Sequence, residues 1–278
     1  MALMTGSEGE LVFPKLTPHP GLRLLVQAYS LGAFPMAESR DAEGVEFFTA
    51  NPRCIFPLDG SLRWPRSLRA KVKRREFRIT SDKAFEFVVR GCAEATRRHD
   101  PAAGELPGTW INDWIIETYT ELHACGLAHS VEAWLPVKWA LSNPQLPRLV
   151  PGQDIAAGSF AMPGPQPVHI QDGMMLVGGL YGVQLGGAFC GESMFSRPDF
   201  GGSDASKVCL AELVAHLMRR GFVVLDSQIS NAHVSSLGGV TVPLGQYLAM
   251  LARALLRRTP WAWEDTEGSA GTGHRGSV

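Results

Sequence analysis

The chain lacks the cysteine patterns that would identify a metal centre or a disulfide framework. Its five cysteines are scattered and odd in number, and no two of them form a C-x-x-C pair. Zinc sites and disulfide-stabilised domains need closely or regularly spaced cysteines, so neither is expected here. We therefore predict reduced thiols, a cytoplasmic location and no bound metal.

A secretory signal and an unbroken apolar run are also missing. Met1–Glu10 contains no basic segment followed by an apolar one, so no secretory signal is predicted. The longest apolar stretch, Met174–Gly191, holds six glycines and is interrupted by Gln184. A membrane-spanning helix needs about 20 consecutive apolar residues, so we interpret this stretch as strand–turn–strand and expect no membrane contact.

The chain as a whole has almost no excess of positive or negative charge, but one segment is strongly basic. The formal net charge is −1, and 45% hydrophobic with 19% charged residues is typical of a soluble globular protein. Within Ser61–Arg78 eight lysines and arginines oppose the single Glu76, so this basic block carries +7 and the remainder −8. Such a block is typical of a surface that binds a polyanion, because basic side chains replace the counterions of phosphates. The alternative is a solvated charged face.

Alternating strand and helix patterns predict a mixed α/β (α+β) fold in two domains. A small N-terminal domain (1–62) is predicted to contain the helix Gly21–Leu31 and the strand and turn Phe47–Leu58. Strands and helices then alternate through a larger domain (63–262), as expected for a sheet packed with helices. The predicted strands of that domain are Phe77–Thr80, Ala128–Leu135, Val177–Val183, Gly187–Cys190 and Phe222–Leu225, and its helices are Asp82–Arg98, Thr109–Cys125, Asp204–Arg220 and Pro243–Arg258.

Two segments fit neither pattern. Pro136–Asp172 has seven prolines and no sustained periodicity, so we predict a long irregular insertion within a hairpin. Residues 263–278 are mostly polar and rich in glycine and serine, which predicts a mobile tail.

Polar side chains follow two of the predicted buried strands. Glu192 comes after Gly187–Cys190, and Asp226 and Gln228 come after Phe222–Leu225. Polar groups at the ends of buried strands lose hydration free energy unless they pair or bind something, which predicts a site there. Asp226 and Gln228 are two residues apart, so in an extended segment their side chains should project to the same side.

Short polar and glycine-rich blocks follow one another along the chain in a distinctive order. They are GAFPM (32–36), FFTANPR (47–53), FRITSDKAF (77–85), TWI (109–111), AHSVEAW (128–134), GGLYGV (178–183), FCGESMFS (189–196), the SK pair (206–207), DSQ (226–228) and NAHVSSLGG (231–239). This series resembles the leucyl/phenylalanyl-tRNA–protein transferase family in order and nearly in spacing, from roughly Leu22 to Leu256. The resemblance implies a larger domain similar to the GCN5-related acyltransferase fold, although the coenzyme A-binding turn Q-x-x-G-x-G/A is missing.

The resemblance also implies a reaction. Leucine or phenylalanine, and weakly methionine, would move from aminoacyl-tRNA to the N-terminal amine of proteins that begin with Arg or Lys, marking them for N-degron degradation. The aminoacyl ester is already activated, so no covalent nucleophile, metal or organic cofactor is required. The expected partners of this monomeric, cytoplasmic enzyme are Leu-tRNA, Phe-tRNA and acceptor proteins.

Three polar residues match the family's reaction centre. Glu192 would contact the α-amine of the transferred amino acid. Asp226 and Gln228 would either form a relay that accepts the acceptor amine's proton, or act by positioning, with Asp226 anchoring the acceptor's cationic residue. We favour positioning. An α-amine has a pKa of roughly 7.7–8.0, so a modest base is sufficient near neutral pH.

Apolar, aromatic and basic positions match the family's substrate contacts. Leu180, Phe189, Met194 and Leu225 match the lining of the aminoacyl pocket, although on sequence alone each would be ordinary core. Phe48 and Trp110 match the aromatic pair that sandwiches the terminal adenine of tRNA. The basic residues expected along the tRNA backbone are Arg69, Lys71, Lys73, Arg74 and Arg75.

The chain departs from the family pattern at two places. Phe47-Phe48 stands where the family commonly has Trp-Trp, and Leu244 stands where it typically has Arg. These departures keep two alternatives open, a non-catalytic tRNA- or RNA-binding relative and an aminoacyltransferase of altered specificity. The joint presence of Glu192, Asp226 and Gln228 favours the enzyme.

Overall fold

A nine-stranded sheet forms the centre of the computed structural model, which describes residues 4–5, 11–12, 20–95, 108–138, 159–160 and 168–268. The strands are β1 (Met4–Thr5), β2 (Leu11–Val12), β3 (Phe34–Met36), β4 (Glu46–Phe48), β5 (Arg53–Phe56), β6 (Arg78–Ser81), β7 (Ala128–Pro136), β8 (Ser159–Phe160), β9 (Val168–Gln171), β10 (Met174–Leu185), β11 (Ala188–Ser196), β12 (Val224–Gln228) and β13 (Val240–Val242). The helices are α1 (Pro20–Ser30), α2 (Arg66–Arg74), α3 (Phe85–Glu94), α4 (Asp113–Ala124), α5 (Ala205–Arg220), α6 (Ala232–Ser236) and α7 (Leu244–Leu255), with a 3₁₀ turn at Pro198–Phe200.

The sheet is antiparallel except at one pair of strands. Its order is β13-β5-β12-β11-β10-β7-β6, with β9 pairing β10 and β8 pairing β9. β11 and β12 run parallel, and α5 connects them. Because they are parallel, their carboxyl ends leave the sheet at the same edge, and polar residues at those ends can meet.

Apolar side chains cover both faces of the sheet. On β10, Tyr181 packs in the cluster that contains α1, α3 and α4, whereas its neighbour Leu180 packs in the cluster that contains α2 and α5. On β12, Val224 packs with α7 and its neighbour Leu225 with α5. Adjacent residues of a strand point to opposite sides. We therefore call the side with α1, α3, α4 and α7 the front face and the side with α2 and α5 the back face.

The mixed α/β architecture predicted from the sequence is confirmed. α1, β7 and α5 each lie within one residue of their predicted bounds, because their hydrophobic periodicity and their ends agree. Gly221 follows α5 with a φ of 78°, a left-handed conformation that glycine adopts at no steric cost and that ends a helix.

Two predicted helix starts are wrong because a polar side chain is used differently. Asp82 does not begin a helix. It has a φ of 60°, and its carboxylate accepts hydrogen bonds from the Ser130 backbone N–H at 2.9 Å and from His129 Nδ1 at 2.8 Å. α3 therefore starts only at Phe85. α4 starts at Asp113 rather than near residue 109, because Asn112 Oδ1 caps it by accepting from the Ile115 N–H at 3.0 Å.

The strands that carry the predicted site are longer than predicted. β11 continues to Ser196 instead of ending at Cys190, so Glu192 lies inside the strand and not after it. β12 spans Val224–Gln228 instead of Phe222–Leu225, so Asp226 and Gln228 also lie inside a strand. The polarity of these residues made the strands seem to end early, whereas backbone pairing continues through them.

Segments from outside the predicted larger domain (63–262) pair with strands of the central sheet. β5, on the N-terminal side of the predicted boundary at residue 62, hydrogen-bonds within the large sheet between β12 and β13. Residues 263–268 of the predicted tail run beside β6, where Ile79 and Thr266 form a bridge, and residues 269–278 lie outside the described residues. Most of the predicted insertion also lies outside them, so the two-domain division stays a prediction.

Candidate active site at two neighbouring strand bulges

β11 and β12 separate directly after their last paired residues. Their parallel pairing ends at Cys190 opposite Asp226. One step later, the register between β10 and β11 shifts, because Tyr181 pairs Ser193 while Gly182 pairs Gly191. Glu192 is therefore the extra residue of a bulge. Bulges re-aim side chains and are frequent beside active sites.

β12 has a bulge at the same level. Asp226 pairs Ile55 and Gln228 pairs Cys54, which leaves Ser227 as the extra residue. The backbone of Gln228 has a φ of 53°, in the left-handed region that a side chain normally avoids. Such a conformation costs about 1–3 kcal/mol and persists only where surrounding contacts impose it. The two bulges bring Gln228 Nε2 to 3.1 Å from Glu192 Oε1 as a hydrogen-bond donor.

Glu192 is half-buried beside tyrosines of the front face. Tyr119 donates a hydrogen bond to Glu192 Oε2 at 3.3 Å, and the Tyr119 hydroxyl is hydrogen-bonded to that of Tyr29. Burial raises the pKa of the Glu192 carboxyl to about 8, and the two tyrosine hydroxyls only partly offset this. A carboxyl of this kind takes up its charged form readily once a cation is placed beside it.

Asp226 is paired with an arginine that the sequence interpretation did not select. Arg53 Nε donates to Asp226 Oδ1 at 2.8 Å and Arg53 Nη2 to Oδ2 at 2.6 Å, and both side chains are fully buried. Tyr247 donates to Oδ2 at 2.9 Å and the Gln228 backbone N–H to Oδ1 at 3.0 Å. A bidentate guanidinium pair with further donors satisfies a buried carboxylate and fixes its orientation. Asp226 thus holds the backbone of Gln228 in its bulge.

The four predicted pocket residues share the back face in two neighbouring pairs. Leu180 is opposite Met194 across β10 and β11, and Phe189 is opposite Leu225 across β11 and β12. In a regular strand Phe189 and Met194, five residues apart, would point to opposite faces, and the extra residue Glu192 restores them to the same one. Leu180, Phe189 and Leu225 are buried, whereas Met194 is half-buried.

The predicted adenine-stacking residues both lie near β3, Phe48 on the paired strand β4 and Trp110 beside Ala37, the residue after β3. Phe48 is exposed on β4, opposite Phe34, with ring centroids 6.5 Å apart. Trp110 is mostly buried, and its carbonyl accepts from the Ala37 N–H at 3.1 Å. Phe34 also contacts the guanidinium of Arg53, 4.9 Å from its ring centroid. The side chain of Phe34 therefore connects Phe48 to the buried Arg53–Asp226 pair.

The basic block forms α2 and its C-terminal end on the back face. Arg69, Lys73, Arg74 and Arg75 are exposed. Lys71 differs, because its ammonium donates to the Ser203 carbonyl at 2.9 Å and lies 3.5 Å from carboxylate oxygens of Asp204 and Glu76. It holds α2 against the start of α5. Arg66, also exposed, shares a helical face with Arg69 and Lys73.

The sequence interpretation missed four site residues: Tyr29, Arg53, Tyr119 and Tyr247. Arg53 offered a usable signal, because an arginine at the start of the apolar run Arg53–Phe56 must find a partner if that run is buried. The three tyrosines offered no such signal, because each lies at an apolar position of an amphipathic helix and looks like an ordinary core residue.

Neither a metal cluster nor a membrane span is found in the part of the chain that the structure describes. No group of three or more His, Cys, Asp or Glu side chains there could hold a metal ion. No helix there is both long and apolar enough to cross a bilayer.

Comparison with known proteins identifies the family of this chain. The family model for leucyl/phenylalanyl-tRNA protein transferase matches residues 55–140 and 166–252, leaving a gap inside the predicted insertion. A leucyl/phenylalanyl-tRNA–protein transferase from Rhizorhabdus wittichii is 41% identical over 232 residues, which cover 84% of this chain and 74% of that protein. The crystal structure of FemX superposes with a TM-score of 0.40 and 14% identity, covering 83% of this chain and 71% of that one. The chain belongs to the leucyl/phenylalanyl-tRNA–protein transferase family.

Proposed function

We propose that this aminoacyltransferase moves leucine or phenylalanine, and weakly methionine, from aminoacyl-tRNA to the N-terminal amine of proteins that begin with Arg or Lys. The product would be an N-degron that marks the acceptor for degradation, and the enzyme would act as a cytoplasmic monomer. The observation that carries the proposal is the contact between Gln228 and Glu192 beside the buried Arg53–Asp226 pair, at the point where β11 and β12 separate.

Glu192 is assigned to the α-amine of the transferred amino acid. Its carboxyl is held at one oxygen by Tyr119 and at the other by Gln228. Burial keeps the pKa of this carboxyl near 8, and an incoming ammonium group would favour the charged form. The amino acid would thus be bound most firmly when its amine is protonated, which also prevents that amine from acting as a nucleophile.

Gln228 and Asp226 are assigned to positioning the acceptor. The amide nitrogen of Gln228 donates to Glu192, which directs its carbonyl oxygen to accept a hydrogen bond from the attacking amine. Asp226 acts through the backbone of Gln228. Its complete burial speaks against the version in which it anchors the acceptor's cationic side chain.

The chemical step requires alignment of the activated ester with the neutral acceptor amine. The acceptor nitrogen attacks the ester carbonyl carbon, the bond from that carbon to the ribose oxygen breaks, and the proton lost by the amine passes to that oxygen, which leaves as a hydroxyl group. Holding the reactants together in this geometry supplies much of the rate enhancement expected of such a site.

The tRNA is assigned to two surfaces. Phe48 and Trp110 would stack on the terminal adenine, with a smaller aromatic face than tryptophan at residue 48. The acceptor arm would lie along α2, with Arg69, Lys73 and the residues at its C-terminal end near the phosphates. Lys71 would contribute by holding α2 in place. The aminoacyl group would enter the back-face cluster beside Met194.

One assay separates this function from its alternatives. Purified protein is incubated with labelled Leu-tRNA and either an Arg-initiated peptide or the same peptide with an acetylated N-terminus. Transfer only to the free Arg peptide supports the proposal. Binding of tRNA without transfer would indicate a non-catalytic relative, and transfer from other aminoacyl-tRNAs or to other N-termini would indicate altered specificity.

A further inference from the structure

A segment after α7 crosses the back face of the sheet. We call residues 257–268 the C-terminal strap. Near its start, Gln184 Nε2 donates to the Thr259 carbonyl at 2.6 Å. At its far end Thr266 exchanges two backbone hydrogen bonds with Ile79, at 3.0 and 2.8 Å. The strap therefore spans from the β10–β11 turn to β6 and is attached at both ends.

Trp261 is the residue of the strap that reaches the sheet. Its indole Nε1 donates to Ser81 Oγ at 3.0 Å. Its ring stacks on His129, with centroids 4.2 Å apart and planes within 8°. It also stacks on Phe189, with centroids 5.3 Å apart and planes within 19°. Because three groups fix it from different directions, the indole has one orientation.

Phe189 is restrained on a second side by the sheet itself. A Cβ atom at Gly182 would lie 2.5 Å from the nearest atom of the Phe189 ring. The ring therefore rests directly on the backbone of β10, where only glycine leaves room. Phe189 is fully buried and contacts Gly182 on one side and Trp261 on another, so its ring has little space in which to tilt.

We infer that Trp261 sets the amino-acid selectivity of the enzyme by fixing Phe189 as the inner wall of the aminoacyl pocket. This inference rests on the proposed function, in which Phe189 lines that pocket. The rigid ring limits how far a side chain enters, so leucine fits the pocket at least as well as the longer phenylalanine. If the indole is removed, Phe189 can tilt into the vacated volume and the pocket deepens, which favours a larger side chain over leucine.

The test compares variants with one tRNA body acylated with Leu or with Phe, so that the tRNA contacts are constant. Single-turnover kcat/KM for transfer to an Arg-initiated peptide is measured for each. Trp261→Leu should raise the Phe to Leu ratio about tenfold, within the range that hydrophobic pockets provide. Trp261→Phe keeps a flat ring against Phe189 and should leave the ratio within about twofold of wild type.

Trp263→Leu is the matched control. Trp263 belongs to the same strap and packs on His216 at 4.6 Å and on Trp261 at 5.9 Å, and among the described residues it makes no ring contact with Phe189. It should reduce thermal stability to a similar degree without changing the ratio. If Trp261→Leu does not fold, Trp261→Met offers an unbranched, flexible side chain that adapts to the space without a flat face, and it should shift the ratio in the same direction.

The failures of the two proposals are distinguishable. An unchanged Phe to Leu ratio in folded Trp261→Leu or Trp261→Met, or an equal shift in Trp263→Leu, would overturn the role of Trp261 while wild-type transfer upheld the proposed function. Absence of Leu and Phe transfer by the wild-type protein would overturn the proposed function, and the inference with it.

Discussion

At the scale of single residues, the site consists of carboxyl groups in contrasting environments. Asp226 is buried beside a guanidinium, which compensates its charge. Glu192 has no such direct partner, and burial raises its pKa to about 8. The glutamine that links them adopts a backbone conformation that costs free energy. These different environments support the proposal that Asp226 positions Gln228 and that Glu192 binds a cationic group of the substrate.

The strained backbone at Gln228 predicts a difference between two substitutions. Gln228→Ala and Gln228→Gly both remove the amide, so both should lower single-turnover transfer about 100-fold through loss of alignment and leave tRNA affinity unchanged. Glycine adopts a φ of 53° without steric cost, so Gln228→Gly should be more stable than Gln228→Ala by about 1–2 kcal/mol in urea unfolding. Equal stabilities would show that the bulge relaxes in the variants, and near-wild-type transfer in both would remove Gln228 from the reaction centre.

The raised pKa of Glu192 predicts how stability depends on pH. Between its ordinary value of 4.5 and its folded-state pKa of about 8, the folded protein keeps a proton on Glu192 that the unfolded chain has lost. The resulting stabilisation is complete below about pH 4.5 and is lost as the pH rises through 8. Urea unfolding of ligand-free protein should therefore show a steeper decline over this window in wild type than in Glu192→Gln. Parallel curves would mean that Glu192 ionises normally.

At the scale of secondary-structure elements, two bulges and one parallel strand pair create the site. The bulge at Glu192 moves that side chain out of the β10–β11 register and, at the same time, returns Met194 to the face that carries Phe189. The bulge at Ser227 allows Gln228 to turn toward Glu192. The single bulge in β11 thus places Glu192 beside Gln228 and also places Met194 on the same face as Phe189.

The exposed face of α2 predicts a surface that binds tRNA without regard to its sequence. Arg66→Gln, Arg69→Gln and Lys73→Gln combined should weaken binding of different tRNA species equally. They should also reduce the slope of log K against log salt by about 3, because fewer counterions are released. Filter binding at several salt concentrations measures both quantities.

The control for that prediction changes the same number of charges elsewhere. Arg23, Arg253 and Arg258 are exposed on or just after front-face helices, and replacing them with Gln should leave the slope nearly unchanged. If both triple variants lower the slope equally, α2 has no special role and the effect is one of net charge.

At the scale of the whole molecule, the two faces of the sheet carry different parts of the proposed site. The front face encloses the polar centre with tyrosines from α1 and α4 and with Tyr247 from α7. The back face supplies the apolar cluster, the basic helix and the C-terminal strap. We propose that the substrate binds where the pairing of β11 and β12 ends, with its amine toward Glu192 and its side chain toward Met194.

This arrangement predicts selection of the amino acid rather than of the nucleic acid. With one tRNA body acylated with five amino acids, Leu and Phe should be transferred well and Met more weakly, because its unbranched chain fills the cluster less completely. Val and Ile should be poor substrates by about 10–200-fold, since a branch at the β-carbon widens the side chain where it enters. Equal single-turnover rates for all five would show that Leu180, Phe189, Met194 and Leu225 are ordinary core.

The sequence by itself determined the class of fold, most helices and three of the polar residues that meet at the candidate site, Glu192, Asp226 and Gln228. Periodicity and end signals are local properties, so α1, β7 and α5 could be placed from neighbouring residues alone. The ordered motifs, read as a series, were sufficient to indicate the family.

Only the tertiary structure decided how those residues are arranged. Arg53 and Asp226 are 173 positions apart, and Tyr119 lies 73 positions from Glu192, so no local pattern relates them. The bulges were likewise invisible, because an extra residue in a strand is defined by the partner strand. Side-chain pairing across the sheet, and the burial that raises the pKa of Glu192, exist only once distant segments pack together.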